Sequence, residues 1–219
     1  MKKQLYLNLM YSKWIWMMGG IMIVINLLAA FSQSLINLQP FMPFVNLLNL
    51  IVMVYTISSI QNIHTLITKN DSHHFLYSLP IRKTDILKAD YIYHALMLVF
   101  TVAVFSTYVI IGHDYHLYYG LVMIMGASLI MMSIYLIIFA NSWLDSAILR
   151  YIIYFLPLFI IYMFHFMPLN NTVIHNIDLG IGWDIYRFVL PFIVLGAGII
   201  VYAASYLYGR KKIVKSDIV

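Results

Sequence analysis

A chain of 219 residues that is 63% hydrophobic and only 10% charged cannot clothe a water-facing surface, since soluble domains carry about 25% charged residues. It has no cysteine, which removes disulfides, thiol nucleophiles and thiolate metal sites, and all its acids are Asp, which removes glutamate-dependent motifs such as HExxH. The net charge of +5 resides in Lys and Arg at the ends of apolar runs, not in a basic stripe with interleaved aromatics, so nucleic acid is not an expected partner.

A helix rises about 1.5 Å per residue, so a hydrocarbon core of about 30 Å needs about 20 apolar residues. Six runs approach that length: Trp14–Ile36, Phe41–Ile63, Tyr91–Ile111, Tyr118–Ala140, Tyr151–Met167 and Tyr186–Tyr208. The expected fold class is therefore an all-α integral membrane protein with six transmembrane helices, forming one transmembrane domain over residues 1–219. Lys2, Lys3 and Lys13 precede the first run, which is too long for a cleaved signal core and is expected to be retained. Ahead of it, Gln4, Asn8 and Ser12 form a narrow polar stripe at i, i+4 spacing. The outer junctions Asn37–Pro40 and Gly112–Leu117 are short. Pro168–Asp184, with Gly180 and Gly182, is expected to be an ordered external loop or a short surface helix.

Every basic residue except Arg187 falls before the first run, between the second and third, between the fourth and fifth, or after the sixth. The positive-inside rule then places both termini and those two loops in the cytoplasm. Trp14, Trp16, Tyr91, Tyr118, Tyr119, Tyr151, Trp183, Tyr186 and Tyr208 cluster at run ends, where amphipathic rings suit the headgroup layer.

The longest cytoplasmic segment, His64–Asp90, is patterned. Asn70, Asp71 and Ser72 are good helix N-caps. A short helix would carry Phe75, Leu76, Tyr77 and Leu79 and end at Pro80, because the residue before proline is pushed out of the α region. Thr84 and Asp85 then start a second helix that runs through Lys88 into the third span. Two readings fit this helix–Pro–helix elbow. Its apolar residues dip into the headgroup layer, or, with the basic rim of Arg82 and Lys83, they dock a cytoplasmic partner.

Later elements carry less chemistry. Pro157 in the fifth span and Pro191 early in the sixth each remove a helix hydrogen bond and are candidate hinges. Gly196, Gly198 and the small run Ala203, Ala204 and Ser205 permit close helix packing, within the chain or to a second copy. His94 and His165 are the histidines inside spans; a lone membrane His more often bonds a neighbouring helix than relays protons. His113, Asp114 and His116 offer three ligands without a fourth, and the adjacent His73 and His74 would point to different helix faces, so no metal is expected. No glycine lies in a GxxxxGK[ST] arrangement, so the chain is not expected to be an enzyme that binds ATP in a P-loop.

The segment LYSLPIRKTDILKADYI resembles the corresponding part of type-2 ABC exporter permeases, through Ser78, Leu79, Pro80, Arg82, Lys83, Asp85, Ile86, Leu87, Lys88 and Tyr91. The six-run layout, with its long cytoplasmic loop after the second run, resembles that family too, most closely small Gram-positive permeases such as those of the staphylococcal phenol-soluble modulin exporter. Many members carry Glu before the SLP segment; Asn70, Asp71, Ser72, His73 and His74 stand there here. The resemblance implies a permease subunit in a bacterial cell membrane that pairs with itself or a sister chain. It implies a separate ATPase subunit that binds ATP and Mg and docks on a coupling helix comprising Asp71, His73, His74, Phe75, Leu76, Tyr77, Leu79, Pro80, Arg82 and Lys83. The cargo would be an amphipathic peptide or another hydrophobic compound. The alternatives are an ion-coupled secondary transporter or channel, and a membrane scaffold or immunity protein that sequesters a peptide.

Overall fold

The computed structural model describes residues 2–32, 42–69, 82–112, 115–140, 147–166 and 180–216. Among them there is no strand. The helices fall into two units, Met1–Tyr115 and His116–Val219.

The first unit contains α1 (Lys2–Tyr11), α2 (Lys13–Ser32), α3 (Met42–Ile57), α4 (Ser59–Lys69) and α5 (Lys83–Gly112). The long α5 is central, with α1, α2, α3 and α4 each packed against it. Lys83–Tyr108 within α5 is long and apolar enough to cross a membrane. The other four helices form two bent pairs. Lys2–Tyr11 meets Lys13–Ala29 at 61°, and Leu47–Ile57 meets Ser59–Leu66 at 56°. The second expected span, Phe41–Ile63, is therefore not one straight rod.

Each bend has a buried serine at its vertex. Ser12 Oγ donates to the Asn8 carbonyl at 2.9 Å, and Ser58 Oγ donates to the Val54 carbonyl at 2.8 Å. A hydroxyl bonded back to the i−4 carbonyl competes with the backbone N–H and bends the helix. Thr56, bonded to the Val52 carbonyl at 2.6 Å, adds a second back-bond just before the Ser58 break.

The second unit holds α6 (Leu117–Ala140) and α7 (Ala147–Ile161), which continues as a π-helical turn, Tyr162–Phe166. It then has α8 (Ile181–Asp184), a second π-helical turn (Ile185–Val189) and α9 (Leu190–Ser216), which run on without a break. Gly180, at φ +82°, starts this rod in a conformation open to glycine, and its carbonyl accepts the Trp183 N–H at 3.0 Å. Pro191 lacks the N–H that would bond Arg187, and the π turn lies directly before it. Pro157 sits inside α7.

Leu117–Ile138 and Ile181–Val214 are each long and apolar enough to cross a membrane. With Lys83–Tyr108 that makes three such helices among the described residues, or up to five if each bent pair is one span. In the second unit α9 packs mainly on α6. The contact is backbone to backbone: a Cβ at Gly198 would stand 2.5 Å from the Gly126 carbonyl oxygen, and one at Gly126 would stand 2.6 Å from the Leu195 nitrogen. Gly198 thus serves packing within the chain, while a Cβ at Gly196 meets nothing within 4 Å.

The distribution of side chains is inverted relative to a water-soluble bundle. Val24, Leu28, Val99, Phe164, Phe192, Ile193, Ile200 and Leu207 are exposed, while Asn26, Asn49, Gln61, Asp90, His94 and Ser133 are buried. Helices that satisfy their own backbone and turn apolar side chains outward suit lipid.

Candidate functional site: a buried polar junction near the start of the fifth helix

Most of the expected docking segment, namely Asp71, His73, His74, Phe75, Leu76, Tyr77, Leu79 and Pro80, lies outside the described residues. Its downstream shoulder is described. Arg82 and Lys83 are exposed at the start of α5, and the Arg82 carbonyl accepts the Asp85 N–H at 2.8 Å. The helix thus begins one residue before the expected Thr84. Asp85 lies in its first turn, where a negative charge is favourable.

The chemistry of this region lies just inside that start. Asp90, two turns into α5, is 5% exposed. Its Oδ1 accepts from Asn8 Nδ2 at 2.9 Å, and its Oδ2 stands 3.2 Å from His64 Nε2. A ring N–H donates and a carboxylate oxygen accepts, so the two bond when the imidazole proton is on Nε2. Gln4 Nε2 in turn donates to Asn8 Oδ1 at 3.3 Å. The chain of bonds runs Gln4 to Asn8 to Asp90 from one side and His64 to Asp90 from the other. Three helices, α1, α4 and α5, meet at one carboxylate.

The narrow polar stripe Gln4, Asn8 and Ser12 is buried in all three residues, and it is the inner face of a formed helix that reads Asp90. Around the junction lie the fully buried Tyr93, His94, Ser59 and Gln61. The Tyr93 hydroxyl approaches Ser12 and Ser59 without reaching hydrogen-bond geometry. Trp16 Nε1 donates to Ser12 Oγ at 3.2 Å, and its ring stacks at a tilt on Phe100 at 4.3 Å.

A second polar tie lies deeper in the same unit. Asn26 on α2 and Asn49 on α3 exchange two hydrogen bonds of 2.9 Å each, and Asn26 Nδ2 also donates to Thr107 Oγ1 on α5 at 2.9 Å. Amides buried in an apolar bundle bond one another because no water is there to do so.

In the second unit His165 is 2% exposed, and neither ring nitrogen has a hydrogen-bond partner. Its ring meets Tyr186 edge-on at 5.0 Å, and Tyr186 donates to the Phe164 carbonyl at 2.8 Å. The buried Arg187 lies 4.9 Å over the Phe188 ring. His116 packs against Phe188 at 5.8 Å; His113 and Asp114 lie outside the described residues. Among the described residues no three His, Cys, Asp or Glu side chains are grouped to hold a metal ion.

The sequence shows Asp90, His64, Asn8, Asn26 and Asn49 as residues but not as a site. The available signal was polarity itself: an amide or acid flanked by apolar helix needs a partner. What pairs them is helix crossing, which spacing along the chain does not reveal. Comparison with protein families, with characterised proteins and with solved structures finds no match to this chain.

Proposed function

We propose that this chain is the membrane-spanning permease subunit of an ATP-driven exporter of the type-2 ABC kind. In this reading it has six spans and both termini in the cytoplasm. An ATPase subunit docks on the elbow between α4 and α5, with ATP and Mg bound there. A second permease chain completes the pathway, and the cargo is an amphipathic peptide or another hydrophobic compound.

One observation carries this reading. The helices on either side of the elbow are joined at its base by His64 and Asp90, and Asn8 joins α1 to the same carboxylate. A push on the elbow then moves α4 and α5 together instead of splaying them. That is the mechanical requirement for passing a nucleotide-driven stroke to helices. The apolar segment Phe75–Leu79 and the exposed cations Arg82 and Lys83 supply the docking chemistry.

Co-purification of the tagged chain with a P-loop ATPase, followed by an ATPase assay in proteoliposomes, tests the proposal. The expected result is ATP-dependent efflux that Phe75→Asp abolishes while the yield of folded chain is unchanged. Cargo movement by the chain alone down a proton gradient would overturn it. That outcome is the specific prediction of ion-coupled transport, which the buried Asp90–His64 pair also fits.

A further inference from the structure

Five buried oxygens on the helices that meet at Asp90 make no hydrogen bond: Gln4 Oε1, Ser59 Oγ, Gln61 Oε1, Thr65 Oγ1 and the Tyr93 hydroxyl. Ser59, Gln61 and Tyr93 are 0% exposed and Gln4 is 3% exposed. The oxygens share one junction because their helices do: α1, α4 and α5 touch one another pairwise. On α4, Gln61, His64 and Thr65 stand at i, i+3 and i+4, on one helical face. On α5, Tyr93 follows Asp90 at i+3, and its hydroxyl approaches Ser59. On α1, Gln4 Oε1 belongs to the amide whose Nε2 bonds Asn8, the partner of Asp90. Buried polar atoms are nearly always satisfied by protein, water or an ion, so five together call for an occupant. Charge narrows the choice. Among the described residues of this unit Asp90 is the one buried acid, and no Lys or Arg is buried with it. A carboxylate taken out of water needs a positive charge close by. Asn8 and His64 each use one lone pair of Asp90, one on either oxygen, and leave the others for a further ligand.

We infer that the junction of α1, α4 and α5 binds one monovalent alkali cation, held by the Asp90 carboxylate and the neutral oxygens of Gln4, Ser59, Gln61, Thr65 and Tyr93. Hard cations take oxygen ligands. One carboxylate among carbonyl and hydroxyl oxygens balances a single positive charge. The His, Cys, Asp and Glu groups that hold a divalent transition ion are not assembled among the described residues. Gln61 Nε2, a buried donor that also lacks a partner, donates to a water retained on the ion. Bound in this way, the cation ties the three helices at the carboxylate that Asn8 and His64 already hold. Cation supply then sets how firmly the foot of α5 is gripped. The site stands on the junction alone, and neither a docked ATPase nor any cargo enters the reasoning.

The test follows unfolding of the full chain in bicelles while NaCl or KCl replaces choline chloride at constant ionic strength and pH. A ligand that binds only the folded chain stabilises it as its concentration passes the dissociation constant. The expected result is a midpoint that rises with sodium or potassium but not with choline. Gln61→Leu removes an orphaned amide at nearly constant volume. In choline that variant should be at least as stable as the native chain, while the cation concentration that gives a set rise should increase by roughly tenfold or more. Asp90→Asn should abolish the response. Because that change also loosens the clasp, Gln61→Leu decides the matter if the Asp90 variant does not fold. Equal midpoints in sodium, potassium and choline would overturn the inference, and would mean that water or a proton on His64 satisfies the junction. A response unchanged in Gln61→Leu would overturn it, as would one lost on Asp85→Asn, since an acid outside the junction would then be responsible. Lower stability of Gln61→Leu already in choline would also overturn it, because the amide would then have a partner without the ion.

Discussion

Replacing Asp90 by Ala withdraws two acceptors in one step, from Asn8 at 2.9 Å and from His64 at 3.2 Å. Asn8 Nδ2 is then stranded and His64 Nε2 loses this acceptor, at residues that are 0% and 6% exposed. Stranding a buried donor costs about 1–3 kcal/mol, while interhelical hydrogen bonds in lipid average about 0.6 and reach about 1.7 kcal/mol. The 2.9 Å bond is well formed and the 3.2 Å one is long, so Asp90→Ala should cost about 2–4 kcal/mol. Asp90→Asn keeps an oxygen for Asn8 and should recover about half of that. His64→Ala alone should cost about 1–2 kcal/mol, and the His64–Asp90 coupling in a double-mutant cycle should be about 1 kcal/mol. Steric-trap or denaturant unfolding in bicelles reads all four values. A coupling below about 0.3 kcal/mol, within the error of additivity, would show that the two side chains are neighbours without being a clasp, and the mechanical argument for the elbow would fail with it.

At the α6–α9 contact, Gly198→Ala should lower stability by about 1–3 kcal/mol, because its Cβ meets the Gly126 backbone and not a movable side chain. Gly196→Ala, with open space around it, should stay within about 0.5 kcal/mol of the native chain in the same thermal assay. Asn26→Leu should cost about 1–2 kcal/mol by leaving Asn49 Oδ1 without its donor, while Asn49 Nδ2 keeps the Val45 carbonyl at 3.0 Å. The double change Asn26→Leu, Asn49→Leu should be milder than either single change, since both partners leave together. The chain has no cysteine, so a single cysteine at Arg82 gives a clean topology probe. Impermeant maleimide should label it only after the cells are opened, and labelling of intact cells would reverse the proposed orientation.

Much of the helical plan was legible along the chain because a span is a local property. Length and hydropathy alone predict the cores of Lys83–Tyr108, Leu117–Ile138 and Ile181–Val214. The start of α5 near Thr84 was legible for the same reason, since N-cap and first-turn chemistry acts within four residues. The two bends were not. Serine is common in straight helices, and Ser133 makes the same i−4 back-bond inside the unbroken α6, so it is the packing around Ser12 and Ser58 that makes these two vertices.

What the sequence determined by itself is the solvent: with so few charges and such long apolar runs, the outward surface has to be hydrocarbon-compatible wherever the helices cross. What only the tertiary structure decided is where the polar residues go. Gln4, Asn8, His64 and Asp90 stand up to 86 positions apart, and they become one junction because α1 and α4 both cross the foot of α5. A hydrogen bond is satisfied by proximity in space, and in an interior without water the choice of partner belongs to the packing of the helices.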